Sequence, residues 1–139
     1  MPHFVEEQNG QPLSQKKILF ADDNTHLRTL VTIMLEELGA EVTSVMDGKN
    51  ALALYTADPK AYDLVLLDVR MKGLDGRSTF DKLLERDPSV KVVLYSGILP
   101  DQTLREKLKK HGGGFIEKPF NLEGLEEVLI SVLSGTPTF

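Results

Sequence analysis

The sequence has no cysteine, which removes disulfides, zinc ribbons and thiol catalysis from consideration. It has no apolar run approaching the ~18 residues that a membrane span requires. Basic residues are in deficit, 16 Lys and Arg against 21 Asp and Glu, for a formal charge of −5. That balance lacks the basic footprint of a dedicated nucleic-acid binder. The first ten residues carry two glutamates and no basic n-region, so they do not read as a secretory signal. What the 139 residues do supply is a 41 % hydrophobic fraction, sufficient for the core of one compact domain and short of two. The expectation is a reduced, cytoplasmic protein with neither direct nucleic-acid contact nor a membrane span.

Residues 1–15 are polar and aperiodic and are expected to form a flexible arm or linker, with the folded domain over 16–135 and a short tail at 136–139. From Lys16 onward, short apolar runs alternate with helical periods five times. The runs are Ile18-Leu19-Phe20, a weaker one at 42–45, Leu64-Val65-Leu66-Leu67, 90–95, and Phe115-Ile116. Near-continuous runs of this kind predict strands covered on both faces. Between the first two, Leu27, Leu30, Val31, Met34, Leu35 and Leu38 form one apolar stripe of helical spacing, with Asn24 or Thr25 as cap and Gly39 beyond its end. Further helices are predicted around 49–57, through Phe80, Leu83 and Leu84, through Leu104 and Leu108, and from a cap at Asn121 through Leu125, Leu129 and Val132. Such alternation implies an α/β fold, a parallel sheet with helices on both faces.

Ligands of an open parallel sheet bind beyond the carboxyl ends of its strands. The residues there are Asp22-Asp23 after the first run, Asp68 after the third, Ser96 after the fourth and Lys118 after the fifth. Singly, each has a plain explanation: a helix cap, a turn, a solvated lysine. Together they call for more, because three carboxylates at one sheet edge repel unless protonated or joined by a cation. A hard ion such as Mg²⁺ takes oxygen ligands, one or two carboxylates and a phosphate oxygen among them. Lys118 would then offer a point charge to an incoming anion, and Ser96 a small hydroxyl donor.

On these residues the sequence resembles the receiver domain of two-component signalling, the response-regulator family. The likeness spans about 16–134 and rests on Ile18-Leu19-Phe20-Ala21-Asp22-Asp23-Asn24, Asp63-Leu64-Val65-Leu66-Leu67-Asp68-Val69-Arg70-Met71, Ser96-Gly97 and Lys118-Pro119-Phe120. It implies a flavodoxin-like, doubly wound five-stranded sheet in the order 2-1-3-4-5. It implies Asp68 as phosphoacceptor and Mg²⁺ held by Asp22, Asp23, Asp68 and the carbonyl of Arg70. Ser96 and Lys118 would bind the phosphoryl group, and Lys118-Pro119 would be a cis peptide. The donor would be a histidine kinase or phosphotransfer protein, and the product a signalling switch rather than an enzyme. Phe115 would be the aromatic that changes rotamer, though the family often has tyrosine there. A homodimer or downstream protein would dock on the fourth helix, fifth strand and fifth helix. Two departures stand out: Lys72 replaces a common proline, predicting a less rigid loop, and Gly112-Gly113-Gly114 predicts a mobile connection.

Other readings fare worse. His111-Gly112-Gly113-Gly114 looks like an esterase oxyanion motif, but no G-x-S-x-G accompanies it. Gly48-Lys49 lacks the rest of a P-loop. A Mg²⁺-dependent aspartyl-phosphate phosphatase of the haloacid-dehalogenase kind would want D-x-D, whereas Asp22 and Asp23 are adjacent. A phosphorylation-independent interaction module on the same fold would have little use for intact Asp23, Asp68 and Lys118. The domain would stand alone as a regulator, as the Met1 start mildly favours, or belong to a larger protein such as a hybrid histidine kinase.

Overall fold

The computed structural model describes residues 11–137. Five strands alternate with five helices: β1 (Lys17–Ala21), α1 (Thr25–Glu37), β2 (Glu41–Val45), α2 (Gly48–Ala57), β3 (Leu64–Asp68), α3 (Gly76–Arg86), β4 (Val92–Ser96), α4 (Gln102–Lys110), β5 (Gly114–Glu117) and α5 (Leu122–Ser134), with a 3₁₀ turn at Pro59–Ala61. All strand pairs are parallel and the order is β2-β1-β3-β4-β5, as the resemblance implies.

Strand alternation divides the core in two. Ile18, Phe20, Leu64, Leu66, Val93 and Tyr95 face α1 and α5, joined by Val31, Leu35, Leu125 and Leu129. Leu19, Ala21, Val65, Leu67, Val92 and Leu94 face the other way, against Ala51 and Tyr55 of α2, Phe80 and Leu83 of α3, and Leu104 and Leu108 of α4. With both faces covered, β3 and β4 are buried at every position, which is why they read as unbroken apolar runs. Every helix starts the same way. Asn24, Asp47, Asp75, Asp101 and Asn121 each accept the N–H three residues on, satisfying one of the donors a helix start leaves unpaired.

Four expectations need correction. Residues 11–15 are not part of a loose arm: they form a turn in which the Leu13 N–H donates to the Leu38 carbonyl at 2.8 Å and the Leu13 side chain is wholly buried in the core. A single leucine among polar neighbours carries no periodicity, so its burial was illegible. The rest of the expected arm, residues 1–10, and the tail at 138–139 lie outside the described residues. The fourth strand starts at Val92 rather than Val90, because the Val90 N–H turns back to the Asp87 carbonyl. The triple glycine is a tight connection, not a loose one. Gly112 takes a left-handed turn at φ +68°, and a Cβ on Gly114 would meet Val128 and Val132 at 2.8 Å. The α1 stripe is wider than its contact with the sheet: Val31 and Leu35 are buried while Leu30 stays 52 % exposed. Leu30 instead lines a groove of about 420 Å³ with Met34, Pro119 and Phe120.

Candidate functional site

The strand order does the assembling. β1, β3, β4 and β5 are consecutive neighbours, so Asp22-Asp23, Asp68, Ser96 and Lys118 all emerge along one stretch of the carboxyl edge. Ligand atoms of Asp22, Asp23 and Asp68 lie within 4.8 Å of one another. The Lys118 ammonium sits 3.4 Å from both carboxylate oxygens of Asp68. β2 is an outer strand, and the Asp47 that follows it is spent on capping α2.

Each carboxylate is held by backbone donors. Asp22, wholly buried, accepts the Asn24 N–H on Oδ1 at 2.8 Å. Its main-chain carbonyl takes the Arg28 guanidinium at 2.7 Å, which ties the loop to α1. Asp23 stands nearer solvent and accepts the Lys72 N–H on Oδ2 at 3.0 Å. A proline at position 72 would have no such donor, so the expected loosening of this loop is reversed: Lys72 fastens it to Asp23. Asp68, 4 % exposed, accepts the Arg70 N–H on Oδ1 at 3.2 Å. Behind it α3 presses close. A Cβ on Gly76 would lie 2.4 Å from the Asp68 carbonyl oxygen, so only glycine fits there without moving the acceptor strand.

Burial raises the Asp68 carboxyl from its ordinary 3.8 to about 6, and the negative charge of Asp22 adds to the rise, while Lys118 and the Arg70 N–H pull against it. A single lysine at 3.4 Å, near the long end of hydrogen-bond reach, does not neutralise three carboxylates. That residual charge, and a donor set made only of oxygen, fit a hard divalent cation. Asp22, Asp23 and Asp68 could hold it, and Arg70 would add its carbonyl. Ser96 is 4 % exposed; its Oγ accepts the Ile98 N–H at 3.1 Å, which leaves the hydroxyl proton for an anion at this edge. The Lys118 N–H donates to the Ser96 carbonyl at 2.8 Å, and the Lys118-Pro119 peptide is cis. Phe115 shares a cleft of about 240 Å³ with Ser96, Arg70 and Leu104.

One member of the site was missed in the sequence. Tyr95, wholly buried on β4, donates its hydroxyl to Oδ2 of Asp22. The Lys118 ammonium lies 4.6 Å from the centre of its ring. Burial, then the bond to Asp22, hold the phenol far above its ordinary range, so it remains a donor. The legible signal was chemical: a buried tyrosine hydroxyl requires a partner, and Tyr95 sits one residue from Ser96.

Residues 18–130 match the family described as response regulator receiver domain. The chain is 29 % identical to the chemotaxis protein CheY of Treponema pallidum, covering 90 % of this chain and 85 % of that one. Against CheY of Listeria monocytogenes the figures are 31 %, 81 % and 94 %. It is 32 % identical to the sensor protein GacS of Pseudomonas syringae over 93 % of its own length, yet spans only 15 % of GacS. Among solved structures, the receiver domain of the Pseudomonas aeruginosa sensor histidine kinase PA1611, which has a magnesium ion coordinated in its active-site cleft, aligns with a TM-score of 0.74 at 27 % identity, covering 87 % of this chain and 99 % of that one.

Proposed function

From the premise that this chain belongs to the response-regulator receiver family, we propose that its phosphoacceptor is Asp68 and that a phosphohistidine of a kinase or phosphotransfer protein is the donor. Receiver domains are phosphoacceptor signalling switches that bind Mg²⁺ at an acidic pocket and work with such partners, and that is the function of this domain. An oxygen of the Asp68 carboxylate attacks phosphorus, the bond from phosphorus to the donor imidazole nitrogen breaks, and the electron pair leaves with the histidine. The product is an acyl phosphate on Asp68. Asp22, Asp23, Asp68 and the Arg70 carbonyl would hold Mg²⁺, which neutralises charge on the transferring group. Lys118 leaves its loose contact with Asp68 to pair with the phosphoryl oxygens, and the Ser96 hydroxyl donates to another.

The observation that carries this reading is the convergence of three carboxylates within 4.8 Å, with Lys118 alongside Asp68. About two added negative charges at that edge would draw in Ser96 and open room behind it for Phe115 to turn. The changed surface would then be that of α4, β5 and α5, where a second copy or a downstream protein would dock. Among the described residues no helix is long and apolar enough to cross a membrane. Incubation with Mg²⁺ and acetyl phosphate tests the assignment: intact mass should rise by one phosphoryl group in wild type and not at all in Asp68→Asn. Equal labelling of that variant would move the acceptor elsewhere.

A further inference from the structure

Asp22 has two carboxylate oxygens and two donors. The Asn24 N–H takes Oδ1 at 2.8 Å, and the Tyr95 hydroxyl takes Oδ2. Asp22 and Tyr95 are both wholly buried, so no water can substitute for the tyrosine hydroxyl at low cost. Tyr95 is also fixed from behind: its ring packs edge-on against Phe120 with centroids 5.8 Å apart and tilted against Phe20 at 6.0 Å. Position 95 faces the α1 and α5 side of the sheet, where its neighbours Val93, Phe20 and Leu66 are purely apolar. An apolar residue would therefore fill the volume; the hydroxyl is there for Asp22.

We infer that Tyr95 is a positioning residue for the metal site, its buried hydroxyl orienting the Asp22 carboxylate for the ion it would hold with Asp23 and Asp68. The inference rests on the metal-site reading above and extends it to a residue outside the acidic set. A carboxylate locked at both oxygens keeps one orientation, with an oxygen within 4.8 Å of ligand atoms of Asp23 and Asp68. Without the hydroxyl it would be free to rotate about its Cβ–Cγ bond. Outer partners of this type commonly change metal affinity by about 10- to 100-fold when removed.

The molecule contains its own control. Tyr55 donates to Oδ2 of Asp87 at 2.7 Å, a second tyrosine–aspartate bond, between α2 and the end of α3. Mg²⁺ binding followed by titration calorimetry on wild type, Tyr95→Phe and Tyr55→Phe separates positioning from general loosening. Tyr95→Phe should weaken Mg²⁺ binding by about tenfold, and Tyr55→Phe should leave it unchanged. In an Asp22→Asn background, Tyr95→Phe should have no further effect, because the hydroxyl acts through Asp22. Unaltered affinity in Tyr95→Phe, or an equal loss in Tyr55→Phe, overturns the role of Tyr95. Should Tyr95→Phe not fold, Tyr95→Met removes the same hydroxyl from a flexible apolar side chain and is read the same way. Failure of the wild-type chain to take up Mg²⁺ at all would instead defeat the metal site itself.

Discussion

At the amino edge of the sheet, Asp63 accepts the Lys17 N–H at 2.8 Å and the turn at 11–15 sets Leu13 into the core, whereas at the carboxyl edge Asp22, Asp23 and Asp68 face one another. The same residue type does opposite work at the two ends. Asp63 meets the N–H of Lys17 across the β1–β3 edge and the helix caps Asp47, Asp75 and Asp101 meet N–H groups three residues on, all in exposed or half-exposed places. Those contacts stabilise the fold, and each carboxylate stands apart from the others with its charge open to solvent. The carboxyl-edge trio keeps its charge close together, with Asp22 and Asp68 buried, and this opposes folding until a cation or proton arrives. A site of this kind stores the repulsion that its ligand later relieves.

The largest effect should come from the amino edge. Leu13→Ala removes a wholly buried leucine and is expected to cost about 2–5 kcal/mol in urea melts, with Mg²⁺ affinity unchanged. Loss of Mg²⁺ binding as well would show that the two edges are not independent. Next comes the acidic trio. Because the Asp68 carboxyl lies at about 6 in the fold against an ordinary 3.8, the folded state holds the proton more tightly than the unfolded chain. Stability in EDTA should therefore fall as pH rises from about 4 to about 6, by about 3 kcal/mol from this group. Asp68→Asn should lack that contribution and melt higher than wild type at pH 7. A wild-type profile as flat as the variant's would remove the stored repulsion from the comparison.

Smaller changes sharpen it. Asp47→Ala takes away the α2 cap and should cost about 1 kcal/mol with or without Mg²⁺. Asp23→Ala should instead abolish Mg²⁺-dependent stabilisation in thermal melts. The smallest effect belongs to the exposed pair Arg77–Asp101 at 2.8 Å: Arg77→Ala should shift stability by less than about 1 kcal/mol, and less still at high salt.

Legibility followed the same division. The runs around Leu19, Leu66 and Leu94 and the stripe through Val31 and Leu35 announced a parallel α/β sheet, because burial on both faces leaves no polar position in a strand. Asp22, Asp23, Asp68, Ser96 and Lys118 were legible as strand-end residues and were brought to one edge. Lys72 was misread: the missing proline suggested a loosened loop, while the backbone N–H that a proline would lack secures Asp23. Leu13 was missed because its burial depends on where α1 ends, and Tyr95 because the partner its hydroxyl requires, Asp22, lies 73 residues away in the chain.

The sequence by itself determined the layering of this protein and the residues available at the strand ends, since hydrophobic period and residue chemistry are local properties. Only the tertiary structure decided which donors those carboxylates meet. The Asn24 N–H and the Tyr95 hydroxyl reach Asp22 from points 2 and 73 residues away, and contacts of the second kind exist only once β1, β3 and β4 lie side by side.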